Sequence, residues 1–255
     1  MKIKQQEAMQ IDYGSYQFEW KEYLLYGVEF MMLILLFAYT FYRSYIAAVL
    51  FLPSMILLFK RKKRQLIQKR KQRLRLEFKE AISAVSSGLS AGYSIENAFI
   101  EAIKDMDMLY GSKSLITIEL RNMKRRLSMN HTLESCLYDL AERSGVDDIR
   151  DFTAVFTAAK RNSGSLIDII CNTVSVINDK TEIKREIEVL ISAKQLEQKI
   201  MNVIPFLIVL YVGSSTGSMM DSLYHNAIGI VVMTICMAVY LFAIALSEKI
   251  VDIQV

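Results

Sequence analysis

The residues best suited to chemistry are few and scattered. Gly111-Ser-Lys-Ser114 resembles the end of a phosphate loop, where backbone N–H groups and a lysine would cradle a nucleotide. The match fails, because that motif needs glycine and lysine adjacent and a second glycine five positions earlier, where Met106 stands. Asp147, Asp148 and Asp151 have the spacing to share a divalent cation, yet carboxylates at a helix N-terminus are stabilising without any metal. His131 and His225 fall on opposite sides of the membrane in the topology given below, so they cannot form one site. No H-E-x-x-H, G-x-S-x-G or zinc spacing occurs. Cys136, Cys171 and Cys236 are odd in number, widely separated and without a C-x-x-C pair, and read as reduced packing residues. The expectation is a protein with no catalytic residue, no metal and no cofactor, and therefore no enzyme.

Composition says what must position the rest. The chain has 255 residues, 53% apolar and 23% charged, with a formal net charge of +4 and a mean hydropathy of +0.25. That is too apolar for a disordered chain, and two prolines with ten glycines leave little turn chemistry for an all-β fold. An all-α, multi-pass membrane protein with a cytoplasmic bundle of about six helices is expected.

The apolar residues are unevenly spread. Residues 24–59 hold only Glu29 and Arg43 as charges, and residues 200–220 and 222–247 hold none. One upright crossing takes about 20 residues, so the first run reads as two crossings, 24–42 and 44–59, with Arg43-Ser44 at the outer turn. The second pair reads as Ile200 to Met219, an outer loop Asp221 to Asn226, and Ala227 to Ser247. Glu29, near the inner end of the first crossing, reads as an interfacial glutamate in preference to a functional intramembrane carboxylate. No cleavable signal peptide is visible in the polar first 22 residues.

Basic charge is one block. From Lys60 to Arg75 there are ten Lys or Arg and no acid, and outside it the chain is net acidic. Juxtamembrane cations of this kind place their side in the cytoplasm, and Lys60, Arg61, Lys62, Lys63 and Arg64 are candidates for lipid-headgroup contact or topology setting. A nucleic-acid partner is not expected, since no base-contacting or stacking groups accompany them. The resulting layout is a tail 1–22, a membrane hairpin 23–59, a basic linker 60–75, a helical domain 76–199, a second hairpin 200–247 and a tail 248–255, with both termini inside.

Between residues 76 and 199 apolar residues recur at spacings of three and four. Phe78, Ile82, Val85 and Leu89 make one stripe that closes near Gly92, and Ser94 is placed to cap the next helix. Helices follow from about Ser114 to Leu127, from the cap Thr132 to Gly145, from Asp147 or Asp148 onward, and from Ser165 to Lys199, continuing into the third crossing. Residues Leu89 to Phe99 align without a gap on Leu127 to Leu137, matching Gly92 to Asn130 and Ser94 to Thr132. This reads as one helix junction used twice, echoed weakly at 161–170.

These residues together resemble the type II secretion system F domain family. The resemblance rests on Gly88-Leu89-Ser-Ala-Gly92-Tyr-Ser94 through Ala98, Leu140 to Gly145, Ser163-Gly164-Ser-Leu166 and Asn202-Val-Ile-Pro205, and covers about residues 76–250. One such domain between two hairpins is similar to the platform proteins of the tight-adherence (Flp) pilus, the B-type subunit more than the C-type. Asn130 and Cys136 depart from the glycine and alanine common in the family. The resemblance implies a non-enzymatic platform in the bacterial inner membrane that contacts a hexameric secretion ATPase, a sister platform protein and pilin subunits, as a homo- or hetero-oligomer. A membrane-anchored signalling adaptor and a small transporter remain as alternatives.

Overall fold

Stretches of Leu, Lys, Arg, Glu and Ala that run for many residues without glycine favour helix strongly. The computed structural model describes residues 13–15, 18, 20–42, 47–161, 166–215 and 227–251, and every regular element among them is an α-helix. In chain order these are α1 (Trp20–Tyr42), α2 (Ala47–Ser90), α3 (Ile95–Tyr110), α4 (Leu115–Leu127), α5 (Leu133–Ser144), α6 (Asp147–Arg161), α7 (Leu166–Ser215) and α8 (Ala227–Val251). They divide into two units, one of residues 1–17 and 63–183 and the other of residues 18–62 and 184–255.

The basic stretch 60–75, expected as a linker, is the middle of α2, which continues unbroken to Ser90. Lysine, arginine, glutamine and leucine are all good helix formers, so a charged segment without glycine has no reason to break. Likewise α7 passes through Pro205 without ending. The missing proline N–H leaves a carbonyl one turn earlier unsatisfied, and the Tyr240 hydroxyl donates to the carbonyl of Asn202 nearby.

The first unit packs α3 to α6 with the later part of α2 and the start of α7. Its core is continuous, from Leu74, Phe78, Ile82 and Leu89 to Leu137, Leu140, Phe152, Phe156 and Ile177. Phe78 meets Phe152 edge-on at 5.7 Å between ring centres, which fixes α2 against α6. The α2 and α7 segments run antiparallel: Ser86 donates to Cys171 at 3.1 Å, and Asn178 donates to Ser83 at 3.2 Å, so the partners move in opposite directions along the two helices.

The repeated junction has a definite geometry. After α2, the Gly92 N–H bonds the Leu89 carbonyl and the Tyr93 N–H bonds that of Gly88; after α4, Asn130 bonds Leu127 and His131 bonds Arg126 in the same pattern. This pair of bonds requires a left-handed residue after the helix, and Gly92 and Asn130 stand at φ 90° and 64°. Asparagine is the non-glycine residue that tolerates this region best, so the departure at Asn130 keeps the turn. Ser94 and Thr132 then accept the N–H of Asn97 at 3.4 Å and of Ser135 at 3.3 Å, restarting the chain as α3 and α5. The weaker echo, with Gly164 and its neighbours, lies outside the described residues.

The second unit consists of α1, the start of α2, the end of α7 and α8. Phe37 packs on Phe206 at 5.1 Å and near Tyr240, with Met233 and Met237 buried beside them. Tyr42 and Thr234 share a hydrogen bond of 2.9 Å. Phe30 meets Phe59 edge-on at 5.2 Å, tying α1 to α2.

Among the described residues three helices are long and apolar enough to cross a membrane: Glu22–Thr40 in α1, a window within Ile167–Gly213 of α7, and Ile228–Ile250 in α8. In α7 the uncharged part begins after Lys199. The second apolar run is not one of the three. In α2 it supplies only Ala47 to Phe59 before Lys60, about 20 Å of helix against roughly 30 Å of hydrocarbon. Arg43-Ser44, the outer loop with His225, and the chain end beyond Val251 lie outside the described residues.

Candidate functional site

Among the described residues of the first unit three carboxylates are buried, and each is matched by donors that distant sequence brings to it. Glu77, on the core face of α2, takes the Arg73 Nε at 2.8 Å and the Ile116 N–H at 2.9 Å. It is thereby a charged cap on the first turn of α4, where the helix dipole favours an anion. Ser114 completes that cap, accepting the Thr117 N–H at 3.2 Å.

Glu119 is 1% exposed and sits at the centre of a larger network. Arg143 of α5 grips it with two parallel bonds, Nη1 to Oε1 at 3.0 Å and Nη2 to Oε2 at 2.8 Å. The Tyr13 hydroxyl donates to Oε1 at 3.0 Å. Arg143 Nε also reaches Asp139 at 2.9 Å, and Asp139 takes Arg126 at 2.9 Å. Burial and then the negative charge of Glu119 push the Tyr13 phenol far above its usual value, so it stays a donor. Burial works against a charged Arg143, but the bonds to Glu119 and Asp139 overcome this and hold it protonated. Tyr13 is itself fully buried, with the Arg70 guanidinium 5.3 Å from its ring centre, so the segment before α1 is part of this unit.

Asp148, in the first turn of α6, lies between Arg75 of α2 and Lys180 of α7, the latter at 2.7 Å. Burial raises its pKa, but the hydrogen bond from Lys180 and the charge of Arg75 outweigh that and hold the carboxyl below the usual range. Asp151 also reaches Lys180, at 3.5 Å, while Asp147 pairs with Arg150. The three aspartates therefore face cations of the protein, and no cluster with metal-binding composition exists among the described residues.

The basic block separates into two roles. Lys71 donates to the Gly145 carbonyl at 3.3 Å, and Arg70, Arg73 and Arg75 serve the clusters just described. Arg61 pairs with Glu248 at 3.1 Å and Lys62 lies over the Tyr26 ring at 4.6 Å. Lys63 and Arg64 are exposed, and Lys60 begins the polar part of α2.

Of the residues singled out by the motif resemblance, Gly92, Ser94, Thr132 and Gly145 stand at helix junctions, Gly88, Leu89 and Ala98 lie within the helices beside them, and Gly164 is outside the described residues. A Cβ on Gly88 would stand 3.3 Å from that of Ala98, so these two small residues permit the close approach of α2 and α3. Leu89 is buried, Gly92, Ser94 and Thr132 form the repeated turn, and Gly145 ends α5 in the left-handed region at φ 55°. Pro205 lies inside α7. These positions are not gathered into one pocket-like constellation. His131 is an exposed turn residue and Glu29 is exposed on α1. Sequence reasoning missed Tyr13, Glu77, Glu119, Arg143 and Lys180. The signal available was an acid standing on an apolar stripe, as Glu77 does between Leu74 and Ala81.

Chemically, every buried carboxylate here is spent on a guanidinium, an ammonium, a phenol or a backbone N–H. The arrangement locks helices together. Compared with known proteins, the chain matches no family model, no curated protein and no solved structure.

Proposed function

We propose that this chain is an inner-membrane platform protein of a type IV/Flp pilus or type II secretion-like machine, coupling a cytoplasmic secretion ATPase to pilin assembly. The observation that carries the reading is the division of the chain into a capped, ion-paired helical unit and a second unit built from its apolar helices. A helical unit locked by buried salt bridges is suited to receiving a load. Its proposed partners are the hexameric ATPase and a sister platform protein, with pilin subunits meeting the membrane helices.

The burial of Tyr13 in the first unit supports the proposed topology. The segment before α1 and the helical unit share one side of the membrane, so the chain crosses an even number of times between Tyr13 and Lys63. With α1 crossing, the short apolar start of α2 must cross too, its ends relieved by snorkelling cations such as Lys60. The Arg61–Glu248 pair supports the same count for the second hairpin, since it holds both residues at one level. Both termini are then cytoplasmic, in keeping with the block of cations on that side.

Deleting residues 94–160 while keeping membrane insertion is expected to abolish pilus assembly. The check is fibre counting by electron microscopy beside an immunoblot of the membrane fraction. A strain that inserts the shortened chain and is normally piliated would refute the role.

A further inference from the structure

The helices of the first unit run alternately up and down, and the two ends of the unit differ in charge. Arg126 meets Asp139 while Glu119 meets Arg143, and Arg121 meets Asp107, so α4 runs against both α5 and α3. Lys160 of α6 returns to Glu134 in the first turn of α5 at 2.8 Å. Phe99 of α3 meets Phe156 of α6 at 6.5 Å, one helix near its start and the other near its finish. The C-termini of α2, α4 and α6 therefore share one end, where the turn 128–132 is exposed throughout.

Cations collect there without acids to match. Between Ala91 and Ile183 the unit holds eleven Lys and Arg, and seven of them rest on an acid at 3.5 Å or less. Among the described residues Lys113, Lys124, Arg125 and Arg161 have no such partner, and all but Lys113 stand exposed at this end. Glu96 on α3 and Asp168 on α7 are exposed acids of the same end, and neither pairs with them. Met129, 53% exposed, lies in the turn that follows Lys124 and Arg125.

The helix dipole accounts for part of this, since Lys124, Arg125 and Arg161 sit in last turns, where carbonyls favour a cation. That interaction leaves the whole charge facing solvent. An acidic surface complements it, with a methionine as adaptable apolar contact. Lipid headgroups carry the same charge, but the cations that the sequence sets beside the apolar start of α2 are Lys60 to Arg64. From Lys63 to Ser90, where α2 reaches this end of the unit, is about 40 Å of helix.

We propose that Lys124, Arg125 and Arg161, around Met129, form the face on which the secretion ATPase docks, and that the ATPase meets it with an acidic surface. The inference rests on the proposed function and adds to it the face of this chain and the charge of its partner.

The test uses the full chain, tagged and solubilised in a neutral detergent, and measures the secretion ATPase retained with it. Lys124→Glu, Arg125→Glu and Arg161→Glu together should reduce retention by about tenfold or more, because like charges facing each other across an interface oppose binding. The corresponding glutamine variant removes the charge without placing acids at helix C-termini, and it should lower retention several-fold even if the reversed chain folds poorly. The same change of charge at the other end of the unit, Lys69→Glu with Lys113→Glu and Arg150→Glu, should leave retention unaltered, since all three positions are exposed and away from this face. An unchanged thermal midpoint checks the fold of each variant. Retention by the parent should also fall as salt is raised from about 0.1 M to about 0.5 M.

ATPase held equally by the glutamine variant, or lost equally from the control, overturns this inference and leaves the functional reading standing. Retention that is absent in neutral detergent and restored in vesicles containing phosphatidylglycerol would assign the three cations to headgroups and overturn it as well. No ATPase with the parent chain under either condition overturns both.

Discussion

Replacing Glu119 by alanine is expected to cost the helical unit about 3 kcal/mol or more, the largest effect of any single substitution considered. The reason is what the change leaves behind. Arg143, 18% exposed, would lose both bonds from its terminal nitrogens to Glu119, while the buried Tyr13 hydroxyl would lose its acceptor. The cost belongs to stranded polar groups more than to attraction between the pair, because taking both charges out of water is itself expensive. The double variant Glu119→Leu with Arg143→Met should therefore be less harmful than Glu119→Ala alone, although Tyr13 still lacks a partner. Thermal unfolding of the solubilised chain, followed by helix content, should fall by about 10 °C for the single variant and by visibly less for the double. Additive losses in the double variant would show that the network is not a coupled unit.

Acid should act on the second cluster. The folded-state pKa of Asp148 is depressed, with Lys180 and Arg75 overcoming the opposing effect of burial. Such a group adds stability that is fully present above the ordinary carboxylate value near 4, and that stability drains away as pH falls through the lower folded value. The thermal midpoint is thus expected to be flat between about pH 7 and 5 and to drop below about pH 4. Asp148→Asn should lower the midpoint at neutral pH, by an amount equivalent to about 2 kcal/mol, because Lys180 is 40% exposed and partly screened by solvent. It should also blunt the acid limb, leaving carboxylates such as Glu134, depressed by Lys160 against the effect of burial, to supply what remains. An acid limb of unchanged depth in the variant would assign the pH dependence elsewhere.

The two kinds of feature differ in how far their causes extend along the chain. The junctions at Gly92–Ser94 and Asn130–Thr132 are local: a residue that tolerates positive φ followed by a hydroxyl cap specifies the turn within six positions, so their spacing alone exposes them. The stripe through Phe78, Ile82 and Leu89 is legible for the same reason. Glu119 was not, because its partners Tyr13 and Arg143 lie 106 and 24 residues away and only packing brings them together. The basic block misled in a similar way. Lys71 and Arg75 look like their neighbours Lys63 and Arg64, but their partners Gly145 and Asp148 arrive from α5 and α6. The length of α2 was hidden by reading charge as linker, when helix propensity is indifferent to it.

The claim on which everything functional depends is that the helical unit is the surface a cytoplasmic secretion ATPase engages. The direct measurement is copurification: the full chain, tagged and solubilised from its own membranes, with proteins in the eluate identified by mass. A hexameric secretion ATPase should come through with the intact chain and be lost when residues 94–160 are removed. A chain that elutes without it under conditions that preserve the helical unit, or that retains it equally well after the deletion, would contradict the claim.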